Sequence, residues 1–303
     1  MNHAALLFPM LIAEAALGYP RGWWHPVMAV GSLIDALERR WNRGDAVRQR
    51  LGGVALVGVL IGASAILGGA IERIAGHGWG LAIVVLIGTT GLAQRSLDDH
   101  VRAVLRPLAA GDLPSARAAV AMIVGRDTDT LDEAGVATAA IESLAESFCD
   151  GVVAPAFWFL LLGLPGLFAA KAINTADSMI GHRTPRHLWF GWAAARADDG
   201  VNWLPARLSG GLLCLAGRGG WWTMLRDARH HASPNGGWPE AAMAGALGRT
   251  LGGPVSYDGE PAMRAILGQG PRPGAPELAR ALWICRAACV LLWGIVGGIA
   301  WLA

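Results

Sequence analysis

Lysine is nearly absent from this 303-residue chain: Lys171 is the only one among 25 Lys and Arg side chains. Charge of either sign is scarce, with Asp, Glu, Lys and Arg at 16% and apolar types at 53%. Ordinary soluble domains carry about 25% charged residues, so this composition excludes a solvated globular domain. The 4 cysteines form no disulfide framework, and Cys285 and Cys289, at i, i+4 in the last apolar run, read as packing. No zinc-spaced Cys/His set, RNA-binding motif or basic run occurs, and the net charge is only +2, which argues against nucleic acid as a partner. A Gly-x-x-x-x-Gly-Lys-Ser/Thr loop and a Gly-x-Gly-x-x-Gly fingerprint after a strand are also missing, so no motif indicates nucleotide binding. The first apolar run has no basic leader, contains Glu14 and leads into Gly18-Tyr-Pro; it is expected to stay in the mature chain.

Apolar length is what the chain has in quantity. Runs at 51–71, 79–93 and 281–303 reach or approach the roughly 20 residues that span a bilayer. Shorter or broken ones lie at 4–17, 203–216 and 152–170, the last interrupted by Pro155 and Pro165-Gly166. Fourteen tryptophans against two tyrosines suit interfacial anchoring. The expected fold is all-α: a polytopic membrane protein with amphipathic and cytoplasmic-side helical inserts. One membrane-embedded domain is expected over 1–303, with a polar helical insert at 94–150, broken at Pro107, Gly111-Asp-Leu-Pro114 and Gly125-Arg-Asp-Thr, and a loop-rich polar segment at 218–278. Segments 19–50 and 94–150 carry six and five arginines, which places both on the cytoplasmic side. Residues 26–41 read as an amphipathic helix lying on the membrane surface, with Val30, Ile34, Leu37 and Trp41 on one stripe and Pro26 suited to its first turn. The prolines of 152–170 argue for a broken or re-entrant element, which a membrane tolerates only where protein or a water-filled cavity satisfies its backbone. The polar segments after Ala93 are therefore expected to share one cytoplasmic-side cavity.

Candidate chemistry falls into several groups. Behind the broken run comes Lys171-Ala-Ile-Asn174-Thr175-Ala-Asp177-Ser178. At about 100° per residue, Lys171, Asn174, Thr175 and Ser178 share a helix face, Asp177 flanks them, and Ile173, Ala176 and Ile180 face away. Glu142, Glu146 and Asp150 at i, i+4 and i+8 line another face. Oxygen donors of this kind suit Mg²⁺, which takes one or two carboxylates plus substrate phosphates; a solvated acidic face is the other reading. Arg196, Asp198, Asp199 and Asn202 gather within three turns before an apolar run, where charged groups mark a substrate or ion path or a snorkelling helix end. His231, Ser233 and Asn235 occupy a Ser-Pro-Asn-Gly-Gly turn that can present N–H groups to an anion, with His231 as a base or a merely solvated histidine. Arg126 is suited to bidentate phosphate or carboxylate binding, and His25 stands at the head of the surface helix.

These segments together resemble the adenosylcobinamide-phosphate synthase family of cobalamin biosynthesis. The blocks that carry the resemblance run nearly end to end. They are Gly18-x-Pro20 with His25-Pro-Val27, Gly125-Arg-Asp-Thr128, Glu142-Ser-x-Ala-Glu146 with Asp150-Gly151, and Lys171-Ala-Ile-Asn-Thr-x-Asp-Ser-Met179, followed by Phe190-Gly-Trp and Ala195-Arg-x-Asp-Asp199. Further on come Asn202, Pro205-Ala-Arg-Leu208, Ser233-Pro-Asn-x-Gly-Trp-Pro-Glu-Ala-Ala242, Ala244-Gly-Ala-Leu247 and Leu251-Gly-Gly253. Tyr19 replaces the aspartate usual between the Gly and Pro, and Ser147 replaces an asparagine, so the first motif is given no metal role.

The resemblance implies a membrane enzyme that uses ATP and Mg²⁺ to join a propionate carboxylate of adenosylcobyric acid to the amine of 1-aminopropan-2-ol O-phosphate. It implies a bacterial inner membrane setting with the site on the cytoplasmic side, the bilayer as partner, and leaves homo-oligomerisation open. Within it, Glu142, Glu146, Asp150, Asp198 and Asp199 are the expected metal ligands. Lys171, Asp177 and His231 are the catalytic candidates, and Arg126, Asn174, Arg196, Asn202, Ser233, Asn235 and His25 the substrate and phosphate contacts. The competing expectation is a membrane sensor of the related family tied to β-lactamase regulation, in which the acids would be dispensable.

Overall fold

The computed structural model describes residues 1–20 and 22–303; Arg21, one of the six arginines counted in 19–50, lies outside the described residues. Helices make up 72% of the chain. Among the described residues, four helical stretches are long and apolar enough to cross a membrane: Ala46–Ala75, Gly80–Ala109, Glu133–Ile180 and Ala275–Leu302. The chain is an all-α polytopic membrane protein, and it divides into two compact units.

The first unit takes residues 1–93, 154–202 and 296–303. Its helices are α1 His3–Leu17, α2 Pro26–Trp41, α3 Ala46–Ala75, α4 Gly80–Thr89, then α8 Ala154–Ile180 and α9 Trp192–Val201. Helix α2 has the bounds its stripe predicts. His25 caps it by accepting the Val27 N–H at 3.1 Å, and Pro26 occupies the first turn, where no N–H is needed. Ile34 on its apolar stripe packs with Leu56, Leu60, Ala172, Ala176 and Ile180.

Helix α8 is broken as its sequence predicts. Gly163 takes φ 66°, and the chain restarts as helix at Leu164-Pro165. The N–H of Leu164 donates to Glu72 Oε1 of α3 at 2.7 Å, so a carboxylate caps the restarted half. Helix α3 approaches this break closely, since a Cβ on Gly68 would lie 2.5 Å from the Pro165 nitrogen. Small residues at such contacts are how helices gain packing in lipid, where burial of apolar surface drives nothing.

The second unit takes residues 94–153 and 203–295. It contains α5 Gln94–Ala109, α6 Leu113–Ala121, α7 Glu133–Phe148, a π-helical segment Cys149–Val153, α10 Trp203–Gly217, α11 Trp221–Asp227, a 3₁₀ turn Ala228–His230 and α12 Gly237–Leu247. The hairpin β1 Leu251–Tyr257 and β2 Glu260–Leu267 follows, then α13 Ala275–Leu302, whose last residues belong to the first unit. The segment 94–150 is helical and buries one face of α7. Val136, Ile141, Leu144 and Phe148 of α7 are fully buried and form the core of this unit with Leu213, Met243, Leu251, Leu267 and Ala281. Pro107 does not break α5, because it falls in the last turn, and the helix closes two residues later.

The hairpin departs from the loops expected within 218–278. Its two-residue turn is Asp258-Gly259, with φ of 51° and 81°, flanked by Tyr257 paired with Glu260. Asp-Gly favours this turn because both central positions need positive φ. Asp127 clamps the turn from outside, accepting the N–H groups of Asp258 at 3.2 Å and Gly259 at 2.9 Å and the Ser256 hydroxyl.

Candidate functional site

The nominated residues divide between the units. In the first, α8 presents Lys171, Asn174 and Asp177 while Ile173, Ala176 and Ile180 are buried, as the periodicity requires. Two members of that face turn inward to their own helix. Thr175 Oγ1 donates to Lys171 O at 2.7 Å and Ser178 Oγ to Asn174 O at 2.9 Å, so both hydroxyl protons are committed to backbone.

Near the end of α9, Asp198 meets this face. Its two oxygens accept from Asn202 Nδ2, each at 3.1 Å, and Asn174 also hydrogen-bonds it. Burial first, and then the charge of Asp177, push the Asp198 carboxyl up to about 7. Asn202 is 3% exposed, and its Oδ1 is buried with no hydrogen-bond partner among the described residues. Arg196 pairs with Asp199, Nη1 to Oδ2 at 3.0 Å.

Mutually repelling carboxylates beside an unsatisfied amide oxygen form an all-oxygen donor set, which fits a hard cation. Among the described residues no group of three or more His, Cys, Asp or Glu side chains gathers as a metal-holding set. Any ion here would keep water or substrate oxygens, as Mg²⁺ usually does.

Lys171 also borders a cavity of about 410 Å³ in the first unit, walled by Val30, Leu33, Leu60 and Phe168, with His25 at its edge. The His25 ring lies 4.5 Å from that of Tyr19. Burial and then the Lys171 charge hold its pKa below the usual histidine range.

The second unit gathers Arg126, Glu142, Glu146 and His231, and joins to them residues that no motif assigned. Arg126 pairs with Glu142, whose other oxygen accepts the Gly252 N–H at 2.7 Å. Arg264 of β2 donates from Nη2 to Glu240 at 2.8 Å, and the same nitrogen is 3.2 Å from His231 Nε2. Glu240, fully buried, has its carboxyl raised well above the usual range by desolvation against the opposing pull of Arg264. His231 accepts the Ser233 N–H on Nδ1 at 3.1 Å, and burial and then Arg264 hold its pKa down. Both ring nitrogens are engaged, so His231 is a structural link in this cluster before it is a base.

The turn after His231 also differs from an anion nest. Ser233 Oγ itself accepts the Asn235 and Gly236 N–H groups, each at 3.2 Å. Asp150 leaves the stripe of Glu142 and Glu146, because the π-helical segment begins at Cys149 and changes the rotation per residue. Glu142 is held by a guanidinium on one oxygen and a backbone amide on the other.

Glu240 and Arg264 each have a sequence signal. Glu240 stands in the Trp-Pro-Glu block, and Arg264 would have followed from pairing strands across Asp258-Gly259, which sets it opposite Gly253.

The CobD/Cbib protein family model matches residues 7–285. The chain belongs to the CobD/Cbib family. It is 47% identical over 309 residues to "Cobalamin biosynthesis protein CobD" of Rhodobacter capsulatus, covering 99% of this chain and 98% of that one. It is 45% identical to the protein of that name from Brucella anthropi, over 94% and 93% of the two chains. With the one from Geobacter metallireducens it shares 43% identity over 89% and 87%. No solved structure matches. This CobD/Cbib chain is thus a cobalamin biosynthesis protein of the membrane-helical type.

Proposed function

We propose that this protein is the ATP-dependent ligase that joins 1-aminopropan-2-ol O-phosphate to a propionate carboxylate of adenosylcobyric acid, giving adenosylcobinamide phosphate. The reading draws on family membership over nearly the whole chain. The observation that carries it is the group on α8 and α9, where Lys171, Asp177, Asp198 and the unsatisfied Asn202 oxygen offer a cation and hard oxygen donors together.

A carboxylate at neutral pH is a poor electrophile, and ATP with Mg²⁺ supplies the phosphoryl chemistry that activates it. Asp198 and Asn202, with Asp177 or Asp199, would hold the ion. Lys171, a compact cation, offsets charge on a phosphate or on the substrate carboxylate. The incoming amine arrives protonated and must lose a proton before it attacks. Asp177, on the same face of α8 and repelled by Asp198, adds a second carboxylate for the ion. The bacterial inner membrane, with this face toward the cytoplasm and toward ATP, is the setting the arginine distribution supports.

The test is direct. Protein purified in detergent and given adenosylcobyric acid, aminopropanol phosphate, ATP and Mg²⁺ should form adenosylcobinamide phosphate, and Asp177→Ala should abolish product in a folded protein. No product from active substrates would turn the reading toward the membrane regulator.

A further inference from the structure

A second pocket, in the unit formed by 94–153 and 203–295, has a volume of about 130 Å³ and is bordered by Arg126, Glu142, Ser143, Glu146, Tyr257 and Arg264. Sites for drug-sized ligands run from about 300 Å³ upward, so this one suits a molecule of a few heavy atoms. Its lining is charged with both signs.

Arg126 enters from the loop before α7 with its side chain 7% exposed, and Arg264 from β2 with 21% exposed. Arg264 Nε is buried with no hydrogen-bond acceptor among the described residues, since Glu142 Oε2 is 3.6 Å away, beyond hydrogen-bond reach. A buried guanidinium N–H without an acceptor is costly, and an incoming oxyanion relieves it with a charge-assisted bond. On the acidic side Glu142 is already engaged by Arg126 and the Gly252 N–H, whereas Glu146 is exposed one turn along the helix. The wall therefore offers guanidinium donors for an anion and an exposed carboxylate for a cation.

We propose that this pocket binds a small zwitterion, with a phosphate monoester on Arg126 and Arg264 and the ammonium of the same molecule on Glu146. The proposal rests on the ligase reading, in which an aminoalkyl phosphate is the nucleophile. It moves Glu146 from metal binding to amine recognition and adds Arg264 and Tyr257 to the site. The terminal phosphate of ATP is the other source of the same phosphoryl chemistry; the pocket's volume favours the smaller ligand.

Calorimetric titration of the full chain in detergent separates the sources, with aminopropanol phosphate, aminopropanol, inorganic phosphate and ATP as probes. Because Arg264 also faces buried Glu240, the exposed Glu146→Gln is the decisive variant and Arg264→Gln the second, each checked for an intact melting transition. Glu146→Gln should weaken aminopropanol phosphate about tenfold and leave inorganic phosphate unchanged, while Arg264→Gln weakens both about tenfold or more. Steady-state KM should rise for the amine phosphate and not for ATP. Unchanged amine-phosphate binding in Glu146→Gln, or a loss confined to ATP, overturns the proposal. Normal ligation by the unaltered protein alongside that result leaves the ligase reading standing. The expected binding pattern without any product from the unaltered protein supports the pocket and removes the ligase reading instead.

Discussion

Glu38 and Asp198 are both buried or nearly so, and their neighbours push them in opposite directions. Arg186 donates to both oxygens of Glu38 at 2.8 and 2.7 Å and holds the carboxyl down to about 2, from 4.5. A depressed carboxyl contributes stability that is present above its unfolded pKa and lost as pH falls through the folded one. Glu38→Gln should therefore lower the melting temperature at pH 7, by an amount worth about 1 kcal/mol given how exposed Arg186 is. The difference from the parent should shrink between pH 4.5 and about 2. An equal loss at pH 7 and at pH 2 would show that packing, not the ion pair, was removed. Asp198 is the reverse case: its charge is unwelcome in the apo fold. Asp198→Asn should raise or preserve the melting temperature in Mg²⁺-free buffer while cutting ligation about a hundredfold. Parallel losses of stability and activity would refute a functional reason for that buried charge.

At the scale of elements, two devices hold the site residues in place. The break in α8 depends on Gly163, because its φ of 66° suits glycine and because a Cβ there would lie 2.1 Å from Glu72 Oε1. Gly163→Ala should cost about 1–3 kcal/mol in unfolding free energy, followed by calorimetry in detergent. Glu72→Gln, which keeps an acceptor oxygen for the Leu164 N–H, should cost less than Glu72→Leu. Asp127 is the second device, since it satisfies two N–H groups of the hairpin turn that carries Arg264 toward Arg126. Asp127→Ala should speed amide exchange at Asp258 and Gly259, and unchanged exchange would mean the turn holds itself.

These elements also mark where sequence patterns stop being sufficient. The α2 stripe and the α8 face repeat with the helical period, so they are legible from residue types alone. The stripe Glu142, Glu146, Asp150 assumed an unbroken α-helix, and a π-helical segment has no compositional signature to warn of it. The Asp258-Gly259 hairpin had a signature, masked by glycine and proline neighbours that read equally well as loop. Arg264 follows once those strands are paired, but its partner Glu240 comes from a separate helix, and no local spacing joins the two into their buried ion pair.

For the whole molecule the open question is sidedness, and composition bears on it more than any contact does. By the positive-inside rule, the arginines of 94–150 predict a cytoplasmic position for Asp112. If the break at Gly163 turns 152–170 back before it crosses the bilayer, Ser178 lies on that side too. Both residues are exposed, and the four native cysteines are buried, so cysteines placed at 112 and 178 should dominate labelling by a membrane-impermeant thiol reagent. Inverted vesicles, which expose the cytoplasmic face, should label at both positions, and intact right-side-out vesicles at neither. Labelling of Ser178→Cys from the outer face would mean that the stretch before Lys171 crosses the bilayer completely. Lys171, Asp177 and Asp198 would then face a compartment without ATP, and the ligase chemistry proposed for them would have no phosphoryl donor.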